Sequence, residues 1–207
     1  SVARGRDISM WLCEPEVHML FPHKSGSKMY PIEESVLAET FPCAWQYLKE
    51  SAEILRSRKG FAGWEKKIHS DYFYTLQRIG DYTFAPYKVC WKYVSSEFTV
   101  CVLGNQKQQQ ELIPNDKVMF IPFESEEEAF YVGGILSTNI ERQYVHSCMS
   151  SRQISTSIIK NIRIPKFNKA DSSHKLISEL CLSGHIFAKE KQFSDVQNIR
   201  QKLDSKV

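Results

Sequence analysis

Rings and cations interleave along two stretches of this chain, a pairing suited to the flat faces of bases and the charge of phosphates. In the first, Arg56, Arg58, Lys59, Lys66, Lys67 and Arg78 can neutralise phosphates, while Trp64, Tyr72 and Tyr74 can stack or hydrogen-bond at groove edges. In the second, from Arg78 to Lys92, Tyr82, Phe84, Tyr87 and Trp91 accompany Lys88 and Lys92 around Gly80 and Pro86. The breaks at Gly80-Asp81 and Ala85-Pro86 make it a turn feeding a strand. Arg78 stands just before that turn, where a guanidinium can read a guanine edge through two hydrogen bonds. Arg152 follows a serine-rich loop and can reach backbone oxygens. The plainer alternative is a solvated helix end, ordinary loops and a strand whose rings fill a core.

Other chemistries find less support. Cys13, His18 and His23 lack a fourth partner and a recognised ligand spacing, which argues against a metal site. His146 and Cys148, read as strand neighbours on one face, have no defined third group for nucleophilic catalysis. The six cysteines form no Cys-x-x-Cys pair; most stand among apolar neighbours and read as small buried hydrophobes.

The elements that must position these groups follow from patterning. At 207 residues, with 42% hydrophobic and 25% charged, the chain can bury a substantial core. No apolar run approaches the ~20 residues of a spanning helix. The N-terminus resembles no signal peptide, so a cytoplasmic setting is expected; the missing initiating Met fits a piece of a longer protein. A formal net charge of +3 is too small to mark a whole basic face, so any nucleic-acid surface must be a patch.

Val17 to Phe21 reads as a short strand. A helix is predicted from about Phe41, with Pro42 in its first turn, a buried stripe of Phe41, Trp45, Leu48, Ala52 and Leu55, and Gly60 as stop. Residues 60–70 read as an irregular basic segment. Strands are predicted at 84–94, 97–103 and 117–122, with a solvated polar loop from Gly104 to Gln110. Ser125 and Glu128 make a capping box for a helix running to about Ile140, whose Gly133-Gly134 pair calls for a closely packed neighbour. Residues 158–164 read as a strand stopped by Pro165. Amphipathic helices at 172–188 and 194–204 close the chain.

An ordered set of segments carries a resemblance. Arg4-Gly5-Arg6-Asp7-Ile8, Phe41-Pro42-Cys43-Ala44-Trp45-Gln46-Tyr47-Leu48 and Leu55-Arg56-Ser57-Arg58 come first. Leu112-Ile113-Pro114-Asn115-Asp116, Met119-Phe120-Ile121-Pro122, the run from Glu127 to Ser137, Ser151-Arg152-Gln153-Ile154 and Ile162-Arg163-Ile164-Pro165-Lys166-Phe167 follow. Together they resemble the TaqI-like C-terminal specificity domain, the target-recognition part of adenine-specific DNA methyltransferases and fused restriction-modification enzymes. The resemblance runs from about residue 4 to about residue 167.

It implies an α/β chain of the α+β type, with a twisted, largely antiparallel sheet flanked by helices. Residues 1–168 would recognise DNA, while the amphipathic pattern of 169–207 reads as a helical C-terminal appendage that docks onto the parent protein or onto the domain itself. Double-stranded DNA and a methyltransferase catalytic domain, on the same or a partner chain, would be the partners. S-adenosylmethionine would serve the parent enzyme, not this chain. An adenine methyltransferase needs a Gly-rich cofactor loop and an Asp-Pro-Pro-Tyr or Asn-Pro-Pro-Tyr motif for the flipped base. Ala85-Pro86-Tyr87 has one proline and no acid or amide before it, so catalysis is expected elsewhere. Two other readings stay open: part of the catalytic cleft of a longer enzyme, or a module that docks a subunit and meets DNA incidentally.

Overall fold

The computed structural model describes residues 1–104, 112–149 and 151–207. The chain is mixed α/β and divides into two compact units, one of residues 1–18 with 85–207, the other of 19–84. The expected boundary at 168/169 falls inside the first of these units. Most of the predicted Gly104–Gln110 loop lies outside the described residues.

The first unit is built on a sheet whose centre is β4 (Tyr87–Lys92), with β5 (Val100–Gly104) and β7 (Val118–Phe123) antiparallel on either side. Alternation sorts its side chains. Val89, Trp91, Val100 and Val102 enter the large core on one side, whereas Cys90, Cys101, Leu103 and Val118 meet Ala3 and Ile8 on the other. Both faces are covered, so these strands read as continuous apolar runs. β1 (Val2–Ala3) pairs in parallel with β6 (Ile113–Pro114), and β2 (Ile8–Ser9) forms a hairpin with β3 (Leu12–Cys13). The hairpin delivers Trp11 to the core, where its indole N–H donates to Ser137 Oγ at 2.9 Å. Cys90, Cys101 and Cys181 are buried, while Cys43 and Cys148 are exposed.

Helix α5 (Glu126–Leu136) starts as its capping residues dictate, Ser125 Oγ accepting from the Glu128 N–H. It ends at Leu136, short of the predicted Ile140, and α6 (Asn139–Cys148) follows. The glycine pair meets the neighbour it calls for. A Cβ on Gly134 would stand 2.8 Å from Ile177 Cγ2, and one on Gly133 would stand 2.6 Å from Val102 Cγ2. Ile177 belongs to α8 (Ser172–Lys189), against which α9 (Phe193–Asp204) packs. Ile177, Cys181, Ala188, Ile199 and Leu203 sit in the same core as Trp91, so these helices pack within the first unit.

His185 on α8 joins helix to sheet. The Val102 N–H donates to Nε2 at 2.8 Å, which leaves the proton on Nδ1 for the Cys181 carbonyl at 2.8 Å. Burial pushes this imidazole down to about 4, and does the same to His23 in the second unit. The unfolded chain takes up those protons near 6.5 while the folded chain resists until about 4, so stability is lost as pH falls through that window. Urea midpoints should hold steady above pH 7 and decline between 6.5 and 4. His185→Gln, which keeps an acceptor for Val102, should flatten part of the decline; an unaltered decline would remove His185 as a cause.

Two predicted strands are absent. Val17 makes a single bridge to Val2 and no strand follows it. Residues 158–164 hold α7 (Thr156–Ile159) and then irregular backbone. Ile159 is buried and Ile158, Ile162 and Ile164 pack on the core, so side-chain burial rather than a strand ladder satisfies this apolar run.

Candidate nucleic-acid interface

The second unit carries nine of the ten candidate residues; Arg152 lies in the first. Its scaffold is α1 (Glu34–Thr40), α2 (Pro42–Glu50) and α3 (Ala52–Arg56), with Pro42 at the first helical position as its fixed φ favours. Trp45, Leu48, Leu37, Phe73 and Tyr74 make the core, with Ala52 and Leu55 partly buried beside it. Phe41 departs from the expected stripe. It caps α2, outside the helical spiral, and is exposed.

Residues 60–70 are not irregular throughout, because Trp64–Asp71 form α4. Gly63, at φ +53°, turns the chain into it, and Ile68 is its one buried residue. A single apolar anchor gives too little periodicity to announce a helix. Trp64 stands at its start with 74% of its surface exposed, and Lys66 and Lys67 are exposed behind it.

Tertiary bonds close residues 55–82 into one patch. Gln77 Nε2 donates to the Lys59 carbonyl at 3.3 Å, and His69 Nε2 lies 2.9 Å from the Leu55 carbonyl oxygen. Phe61 stacks on His69 with ring centroids 4.0 Å apart. Glu65 Oε1 accepts the Arg78 N–H at 2.6 Å, and the Tyr82 hydroxyl donates to the Arg78 carbonyl. Phe61, Glu65, Gln77 and Tyr82 were invisible as site residues in the sequence. Gly60, Gly63 and Gly80 around them were the only signal that the chain turns repeatedly here.

Three candidates are occupied by this construction. Arg58 donates to the carbonyls of Leu55, Phe73 and Thr75 at 3.0, 2.7 and 2.8 Å, as a staple between α3 and residues 73–75. Tyr74 is buried, its hydroxyl donating to the Ile32 carbonyl at 2.8 Å, so it has no free face for a base in this conformation. The Tyr72 hydroxyl donates to Glu33 Oε1 at 2.7 Å, a bond that raises its pKa. Arg58→Ala would leave those carbonyls without their donor and should cost about 1–3 kcal/mol in a urea melt. A loss below about 0.5 kcal/mol would be ordinary for a surface residue and would release Arg58 from its stapling role.

The other candidates face outward. Arg56 lies over the Phe73 ring at 4.7 Å, and Arg56, Lys59, Lys66, Lys67 and Arg78 are exposed. No ion pair among the described residues engages any of the five. From 56 to 78 there are six basic residues against the acids Glu65 and Asp71, and Glu65 is already bound to the Arg78 peptide. The segment thus carries five exposed cations that no ion pair engages among the described residues, and one exposed indole, Trp64.

The second ring-rich stretch divides between the units after Phe84. Trp91 is fully buried, its indole donating to the Ile154 carbonyl at 3.0 Å, and buried Lys88 donates to the Ala85 carbonyl at 2.7 Å. That part fills a core, as the plainer alternative had it. Arg152 is exposed and its carbonyl accepts the Ser95 N–H at 2.8 Å. Arg4 pairs with Asp7 at 2.7 Å and also with Glu16 at 2.8 Å.

No family model matches the chain. It is similar to the Type II methyltransferase M.NspV of a Nostoc species, 29% identical over 126 residues, which cover 58% of this chain and 25% of that protein. The chain thus spans about a quarter of the length of the curated relative it matches.

Proposed function

We propose that this chain is the DNA sequence-recognition part of an adenine-N6 methyltransferase or fused restriction-modification enzyme, holding the duplex so that a catalytic domain outside these residues reaches one adenine. The observation that carries the proposal is the patch of the second unit, with five exposed cations that no ion pair engages among the described residues and a Trp at 74% exposure. Unpaired cations are what counterion release from phosphates rewards, and an exposed indole offers a stacking face. The similarity to a Type II methyltransferase supports the same enzyme class. Arg56, Lys59, Lys66 and Lys67 would meet phosphates, Trp64 a groove edge and Arg78 a base, with Arg58, Tyr72 and Tyr74 holding the patch in shape. Arg152 would add a phosphate contact from the first unit.

S-adenosylmethionine would be the parent's methyl donor, held by the catalytic domain outside these residues. The first turn of α5 carries Glu126, Glu127 and Glu128 in place of glycines, and its Glu128 N–H already donates to Ser125 Oγ. The open cavity of about 210 Å³ lined by Trp11, Cys13, Cys101 and His185 is smaller than the ~300–1,000 Å³ typical of cofactor pockets.

The test is binding of the isolated chain to duplex DNA across a salt series. About five phosphate contacts give a log–log slope near −4 to −5, with dissociation constants of ~10⁻⁴ to 10⁻⁶ M near physiological salt. Affinity indifferent to salt would favour a subunit-docking module instead.

A further inference from the structure

We propose that Glu65 and Tyr82 are positioning residues for sequence discrimination, clamping the Arg78 peptide so that its guanidinium is presented to a base edge at a fixed angle. The inference rests on the recognition reading above and adds the device that would make it specific.

Arg78 has φ +55°, a left-handed conformation that costs a non-glycine residue about 1–2 kcal/mol. Glycine or asparagine would make the turn at lower cost. Strained residues of this kind persist where the surroundings over-determine them, and they gather at functional sites. Here the surroundings are explicit. The Arg78 N–H donates to Glu65 Oε1 at 2.6 Å, a bond strengthened by the carboxylate charge, and its carbonyl accepts from the Tyr82 hydroxyl. Gly80 makes room for that ring, since a Cβ there would stand 2.7 Å from Tyr82 Cε1. Both polar groups of the residue's backbone are thus fixed, while no ion pair ties its guanidinium to Asp71, Asp81 or any other described acid.

The clamp also sets a register. Glu65 lies between Trp64 and Lys66 on α4, so the helix proposed to sit on phosphates holds the residue proposed to read a base. Phosphate contacts fix orientation and base contacts specify. One hydrogen bond to α4 converts the first into the second.

The experiment uses the full-length protein and a randomised pool of DNA duplexes, with bound molecules sequenced and melting temperatures taken in parallel. Arg78→Gly should leave melting unchanged or raise it, because the strain is relieved, yet discrimination at one base position should fall about tenfold, as for loss of one bidentate contact. Glu65→Ala and Tyr82→Phe should blur the same position, and Glu65→Gln, which keeps the oxygen acceptor, should restore it. An unchanged sequence ranking for Glu65→Ala and Tyr82→Phe overturns the clamp. A wild-type protein that selects no sequence also overturns it. If Lys66→Ala with Lys67→Ala leaves DNA retention at low salt untouched as well, the recognition reading itself fails.

Discussion

A chain ended after Asn168 should lose cooperative folding of the first unit, although the sequence sets the last two helices apart from it. Ile177, Cys181, Ala188, Ile199 and Leu203 are buried among Trp91, Tyr131 and Leu136. Each large apolar side chain is worth about 1.5–3 kcal/mol on burial, so the group rivals the ~5–15 kcal/mol that holds a domain together. Gly133, Gly134 and the ring of Trp11 beside Gly184 would be bared along with them. Circular dichroism through a urea titration should show a broad, non-cooperative transition for residues 1–168 and a sharp one for the whole chain. A sharp transition for residues 1–168 would make α8 and α9 an appendage after all.

The second large effect concerns charge. Replacing Arg56, Lys59, Lys66, Lys67 and Arg78 together by alanine should weaken binding to every duplex at 50 mM salt by about 10³-fold or more and bring the salt slope to about −1, the share left to Arg152. None of the five engages an ion pair among the described residues, so folding should survive. Arg56 alone gives up a ring contact, over Phe73. Glu39→Ala, which removes an exposed acid on the same unit, is the control for net charge and should strengthen binding slightly. Equal affinity for the fivefold variant and the wild type would remove the patch from any DNA role.

Much of the fold was legible because local chemistry and burial agree in it. Pro42 starts α2, Ser125 caps α5, and the alternation of Val89, Cys90 and Trp91 marks a strand covered on both faces. Gly133 and Gly134 even announced a close neighbour, and Ile177 supplies it. Legibility failed where one tertiary contact decides. Helix α4 has one buried anchor, Ile68, and relies on Glu65 reaching Arg78 across thirteen residues. The apolar run at 158–164 has strand composition but packs by side chains. Among the candidate residues, exposure separated what composition could not. Arg58 and Arg56 stand two apart in one basic cluster, yet one binds three carbonyls and the other faces solvent. Tyr74 looks like a stacking ring in sequence and is a core ring in structure.

Bound DNA should meet residues 56–78. Ultraviolet crosslinking of the chain to duplex DNA, followed by mass spectrometry of the adducted peptides, addresses it directly. Trp64, at 74% exposure beside Lys66 and Lys67, should carry the dominant adduct, with further adducts in the peptides holding Lys59 and Arg78. Adducts confined to the first unit, with the 56–78 peptides unmodified at saturating DNA, would contradict it.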